Sequence, residues 1–163
     1  MSRLTSTDLF NEVEAALRLS ELNARVLQSQ KPFRFEVTDS NGLVRFIRVY
    51  IWTCTHGGGA ARADDEYRIQ FTGVVPESAA SENTLLLGWH EVTGVFAAWD
   101  INFHDGQNSS SPSAQIREEI LMAASLNGIA FGVRGNGERV AAFRPELFGR
   151  YIEEMGPIHF SGR

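Results

Sequence analysis

The sequence predicts an α+β fold: a mostly antiparallel β-sheet flanked by helices, in a single compact domain covering residues 1–163. Three observations predict it. Apolar residues recur at helical spacing near both ends and once near residue 118. Between those stretches the apolar runs alternate or are continuous, and Gly, Asn, Ser and Pro punctuate them. Strands come in runs and do not alternate regularly with helices, which favours antiparallel pairing over repeated βαβ units. With 43% apolar residues the chain can bury a sizeable core.

Leu9, Val13, Ala16, Leu17 and Ser20 share one helical face, so the spacing predicts a helix over 7–19, capped by Thr7 or Asp8 and able to add a turn toward 28. "RFEVT", "DSNG" and "LVRFIRVYIWT" read as strand, turn and strand. In the second strand both alternating faces are apolar, so it is a central strand covered on both sides for part of its length. "EYRIQFTGV" is a further strand, and "TLLLGWHEVTGVFAAWDI" gives two strands around "HEVTG". "SAQIREEILMAASL" reads as an amphipathic helix capped by Ser111 or Ser113, with Ile116, Ile120, Ala123 and Ala124 inward. A hairpin around "RGNG" follows. Pro145 stands at the first position of a closing helix. Strands before the middle helix number about five on this reading.

The single cysteine, Cys54, excludes an intrachain disulfide framework. The N-terminus lacks the apolar core of a signal peptide, and no apolar run reaches the roughly 20 residues of a spanning helix. The expectation is therefore a cytoplasmic protein with no membrane partner. Net charge is −5, which argues against nucleic acid until the distribution is considered. Between Arg25 and Arg62 stand six cations and two acids, a local +4 that leaves −9 for the rest. Fourteen of the fifteen cations are Arg, the residue suited to bidentate phosphate or guanine contacts, and Lys31 is the exception. Genomic base composition explains an Arg excess equally well.

The chemistry-bearing stretches are individually modest. "HGGG", His56 to Gly59, also occurs in esterase oxyanion loops, but the chain has no Gly-x-Ser-x-Gly elbow. Its glycines leave amide groups unshielded, so a phosphate could lie against His56, Gly57, Gly58 and Gly59. A plain hairpin tip is the alternative. His90, His104 and Asp105 lack tight metal-ligand spacing, and "DDEYR" lacks the remaining groups of a nuclease core. Ser109, Ser110 and Ser111 precede the expected middle helix, where hydroxyls and helix amides would hold an anion or simply cap. Pro32 and Phe33 lie between Lys31 and Arg34, an apolar feature flanked by cations, or equally a strand-entry proline with Phe33 packed in the core. No catalytic set, cofactor motif or metal site emerges. The residues support a module that binds a phosphate-bearing polymer.

In order along the chain, "VYIWTCTHGGGAARADDEYRIQFTGV", "TLLLGWHEVTGVFAAWDINFH", "SSSPSAQIREEIL" and "GNGERVAAFRPELFGRYI" resemble the sulfur-binding domain of type IV, modification-dependent restriction endonucleases. The likeness runs over roughly residues 10 to 152. It implies recognition of double-stranded DNA carrying a phosphorothioate linkage, as the targeting module of a bacterial defence system, with a fused or partner nuclease domain. It implies a shallow apolar pocket for the sulfur, here Pro32 and Phe33. It further implies phosphate or base contacts from Lys31, Arg34, Arg62 and Arg68, with His56–Gly59 and Ser109–Ser111 close to the DNA. The same likeness implies His and Ala on either side of the proline, where this chain has Lys31 and Phe33. Two other functions compete: a metal-dependent nuclease built around His104 and Asp105, and a methylcytosine reader with an aromatic cage. Trp52, Trp89 and Trp99 lie in apolar strands and read as core rather than cage.

Overall fold

The computed structural model describes residues 4–57, 65–106 and 113–160. Helix α1, Ser6–Leu19, forms because Leu9, Val13, Ala16 and Leu17 make one buried stripe. Its cap is Thr5, not Thr7 or Asp8. The Thr5 hydroxyl accepts the Asp8 amide at 3.1 Å, and the Asp8 carboxylate accepts the Thr5 amide at 2.8 Å. Asp8 occupies the third helical position, so the two residues close a reciprocal capping box. The extra turn toward 28 does not form. Glu21 takes a left-handed φ of 61°, and the Leu22 amide folds back onto the Leu17 carbonyl at 3.0 Å, which ends the helix. Residues beyond it become strand β1, Asn23–Gln28.

Strand β1 pairs antiparallel with β2, Phe33–Thr38, which pairs antiparallel with β3, Val44–Thr53. The turn joining β2 to β3 is held by Asp39, whose side chain accepts the amides of Asn41 and Leu43. Gly42 supplies the positive φ, 85°, that this turn requires. Strand β3 then pairs in parallel with Asn83–His90. The intervening residues contribute β4, Thr55–His56, and β5, Glu66–Gln70, so Asn83–His90 is β6. Strand β7, Val95–Trp99, closes a hairpin on β6.

The segment expected to open the middle helix is a strand, β8, Ser113–Arg117, paired antiparallel with β5. Ala114 and Ile116 point into the core while Gln115 and Arg117 point out, a two-residue period that runs directly into a helix. Helix α2 therefore starts at Glu118 and ends at Asn127, with Arg117 rather than Ser113 at its cap position and no capping bond from the Arg117 side chain. Strands β9, Ile129–Val133, and β10, Arg139–Phe143, form the expected hairpin. Pro145 opens a short 3-10 turn, Pro145–Leu147, that leads into α3, Phe148–Phe160.

The result is the expected α+β architecture. Seven strands form the main sheet in the order β1-β2-β3-β6-β7-β10-β9, with β3·β6 its one parallel pairing, and β4-β5-β8 form a small antiparallel sheet. One face of the main sheet packs on α1 and α3, burying Leu17, Phe33, Phe35, Ile47, Val49 and Tyr151 among others. The opposite face packs on α2 and the small sheet through Trp52, Ile69, Trp99, Ile116 and Leu121. The small sheet covers only part of that face. Tyr50 and Trp52 of β3 are buried while Phe46, on the same side, is 40% exposed. Strand β3 is thus covered on both sides for part of its length, and Arg48 on β3 lies opposite Arg34 on β2.

Candidate functional site

Pro32 and Arg34 are placed by strand alternation. Phe33 points to the α1 side, so Arg34 points to the side of the small sheet. Phe33 is fully buried and meets the Phe10 ring edge-on at 5.2 Å between centroids. This corrects the expectation that Phe33 lines a surface pocket: its apolar ring is committed to the core beneath α1. Pro32 stays half-buried at the surface, and its carbonyl accepts the Gln28 side-chain amide at 2.7 Å. The Lys31–Pro32 peptide is cis.

Lys31 extends over Trp52, with Nζ 4.2 Å from the ring centroid. The two residues border a cavity of about 250 Å³, lined also by Leu4, Thr55, Gln70 and Thr72. Burial against this wall pulls the Lys31 ammonium down to a pKa of about 8. Among the described residues Lys31 has no carboxylate partner. The indole face offers a cation partial compensation for lost water, and leaves its N–H donors for an incoming acceptor.

Arg34 and Arg48 stand opposite one another on β2 and β3 and share Glu82. Arg34 donates to Glu82 through Nε at 3.1 Å and Nη2 at 2.9 Å, which raises its pKa above the ordinary guanidinium value. Arg48 Nη1 lies 3.8 Å from the same carboxylate, and Nη2 donates to the Tyr50 hydroxyl at 3.0 Å. In the sequence Arg48 is one cation among several and Glu82 carries no signal of its own. The strand–turn–strand signal already aligned Arg34 with Arg48. Glu82 reaches them only through the parallel β3·β6 pairing, which no local pattern announces.

The small sheet divides the remaining candidates. His56 and Tyr67 are cross-strand partners, their rings 5.4 Å apart and perpendicular. Arg68 faces the other way, opposite Thr55 and Gln115. Strand alternation thus separates His56 from Arg68, so they do not converge on one point. Gly57 donates its amide to the Glu66 carbonyl at 3.0 Å. That corrects the expectation of an open amide there: Gly57 closes the β4–β5 ladder. Gly58, Gly59, Arg62, Ser109, Ser110 and Ser111 lie outside the described residues. The chain enters a strand rather than a helix at Ser113, so no helix starts directly after the three serines.

The groups suspected of metal or acid–base chemistry are otherwise engaged. His104 Nε2 lies 2.9 Å from the Glu138 carboxylate, with both side chains buried. Arg134 donates to the same carboxylate and to Gln115. His90 Nδ1 lies 2.6 Å from the Thr93 hydroxyl, and burial lowers its pKa. Asp105 binds the amide and hydroxyl of Ser78. Among the described residues no group of three His, Cys, Asp or Glu side chains is placed to hold a metal ion. Nor is any described helix long and apolar enough to cross a membrane.

The fold and these contacts define a small α+β domain with a basic, partly open sheet face beside an aromatic-walled cavity. The chain belongs to the methylase-associated X1 family, whose model matches residues 45–152. The family's description associates it with a methylase, which is consistent with a role in restriction or modification. No curated protein matches the chain, and no solved structure does.

Proposed function

We propose that the chain is a DNA-targeting module of a restriction or modification system, that it recognises phosphorothioate linkages in double-stranded DNA, and that a partner or fused enzyme performs the chemistry. One observation carries the reading: the half-buried Pro32 ring lies between Lys31, which has no carboxylate partner among the described residues, and Arg34. Sulfur is larger, softer and less hydrated than oxygen. Against an apolar ring it gives up little, whereas a charged oxygen loses water without a compensating hydrogen bond. Discrimination then comes as much from rejecting ordinary phosphate as from attracting the modified one. Lys31, Arg34 and Arg68, with Arg62, supply the cationic contacts to neighbouring phosphates. The family's description offers a methylase as a partner, and the resemblance of the motifs offers a nuclease.

A reader of methylated bases fits less well. It would need an open aromatic cage, yet Trp52, Trp89 and Trp99 are all buried. The deciding experiment is a titration of two duplexes that differ by one sulfur. A dissociation-constant ratio far from one supports the reading, and a ratio near one removes it. Binding through about four to six phosphates should also give a slope of log K on log salt near −4 to −5.

A further inference from the structure

Arg34 and Arg48 put two positive charges side by side across adjacent strands, an arrangement that is unfavourable unless an anion lies with them. Glu82 supplies one negative charge for the two. It satisfies Arg34 at hydrogen-bond distance on two nitrogens, while its nearest approach to Arg48 is 3.8 Å. Arg48 Nε is sealed from solvent and donates to no described acceptor. Lys31, near the start of β2, adds a further charge without a carboxylate partner among the described residues. The group therefore carries more donor capacity than Glu82 uses. Phe46, half-open on the same side of β3, leaves the sheet face beside the pair accessible, whereas Thr84, opposite Arg48 on β6, is buried.

From this we infer that the Arg34–Arg48 pair is a binding site for a DNA backbone phosphate, which the Glu82 carboxylate partly fills in the free protein. The inference rests on the DNA-binding reading above and adds a site to it. A phosphodiester approaching the pair gives Arg48 the acceptor that Glu82 does not reach. Glu82 then yields part of its hold on Arg34 or is pushed aside. The carboxylate tempers affinity for any DNA, modified or not, and leaves selectivity to the sulfur contact.

The test compares Glu82→Gln with Glu154→Gln, which removes the same charge from the Arg150 pair on α3. Each variant is titrated with a plain duplex and with its phosphorothioate counterpart. Glu82→Gln should tighten both by about three- to tenfold, as expected when charge-assisted donors are released to a phosphate, and the Glu154 control should change little. Arg48→Lys keeps the charge but loses the fork, so it should weaken both duplexes and cancel the gain in combination with Glu82→Gln. Equal behaviour of the Glu82 and Glu154 variants, with wild type still binding, overturns the phosphate site and leaves the DNA reading standing. If Glu82→Gln fails to fold, undiminished binding by Arg48→Lys overturns it instead. Absence of salt-dependent DNA binding by wild type overturns the broader reading.

Discussion

The Lys31 ammonium lies 4.2 Å from the centroid of the Trp52 ring, and both residues line the same cavity. The contact joins the cation proposed to meet DNA to a residue of the core cluster that the small sheet covers. Trp52 is itself fixed by its indole N–H, which donates to the Thr72 carbonyl at 3.1 Å.

Burial holds the Lys31 pKa at about 8, below the ordinary 10.5. DNA affinity should fall as pH rises from 7 to 9, because the cation that meets a phosphate loses its proton. The salt slope should become shallower by about 1 over that range. Stability of the free protein should move the other way. Between pH 8 and 10.5 the unfolded chain binds more protons at this lysine, so folding free energy improves with pH across the window. Binding titrations and urea melts at pH 7, 8 and 9.5 read both trends. Lys31→Arg should flatten them, and a pH response unchanged in that variant would assign it to another group.

Pro32→Ser should reduce sulfur preference by roughly tenfold, the value of a small apolar contact of about 1–2 kcal/mol. Binding to the unmodified duplex should hardly move, because an ordinary phosphate oxygen gains little from the apolar ring that is removed. The readout is the ratio of dissociation constants, with circular dichroism to confirm the fold. A large ratio that survives the substitution puts the sulfur contact elsewhere on the molecule.

Gly88→Ala should destabilise the protein by about 1–3 kcal/mol, the usual cost of overpacking a filled interior. A Cβ at this position of β6 would lie 2.7 Å from Ile69 Cγ2 and 3.1 Å from Cys54 Cβ, where the small sheet meets the main one. Urea unfolding measures the loss. Paired with Ile69→Ala, the two changes should cost less than their separate costs added, because the alanine at 69 vacates the space. Full additivity would show that the close approach is not what limits residue 88.

His104→Gln should cost about 1–3 kcal/mol, since the buried Glu138 carboxylate loses one hydrogen-bond partner while keeping Arg134 and the Asp100 amide. The same measurement bears on catalysis. The purified chain should not cut DNA with Mg²⁺ or Mn²⁺, in either wild type or variant. Metal-dependent cleavage by wild type that His104→Ala abolishes would falsify the binding-module reading.

The sequence by itself determined the α+β class, the helical stripe of α1, both faces of β3 and the hairpins β6–β7 and β9–β10. Each is written in local periodicity and turn residues. It also singled out Lys31, Pro32 and Arg34, because an apolar pair between cations is visible without a fold. Short-range pattern could not reveal that β8 is a strand: Ser113–Arg117 runs into α2 without a break, and its two-residue period is lost beside a 3.6-residue one. Only the tertiary structure took Phe33 into the core, since the direction of a side chain at a strand's start depends on what α1 offers it. Strand pairing likewise turned His56 and Arg68 to opposite sides of one small sheet. The parallel β3·β6 pairing brought Glu82 to Arg34 and Arg48 from across a crossover. Contacts of that range have no signature along the chain, because they are set by which strands share hydrogen bonds and not by the spacing of the residues that meet.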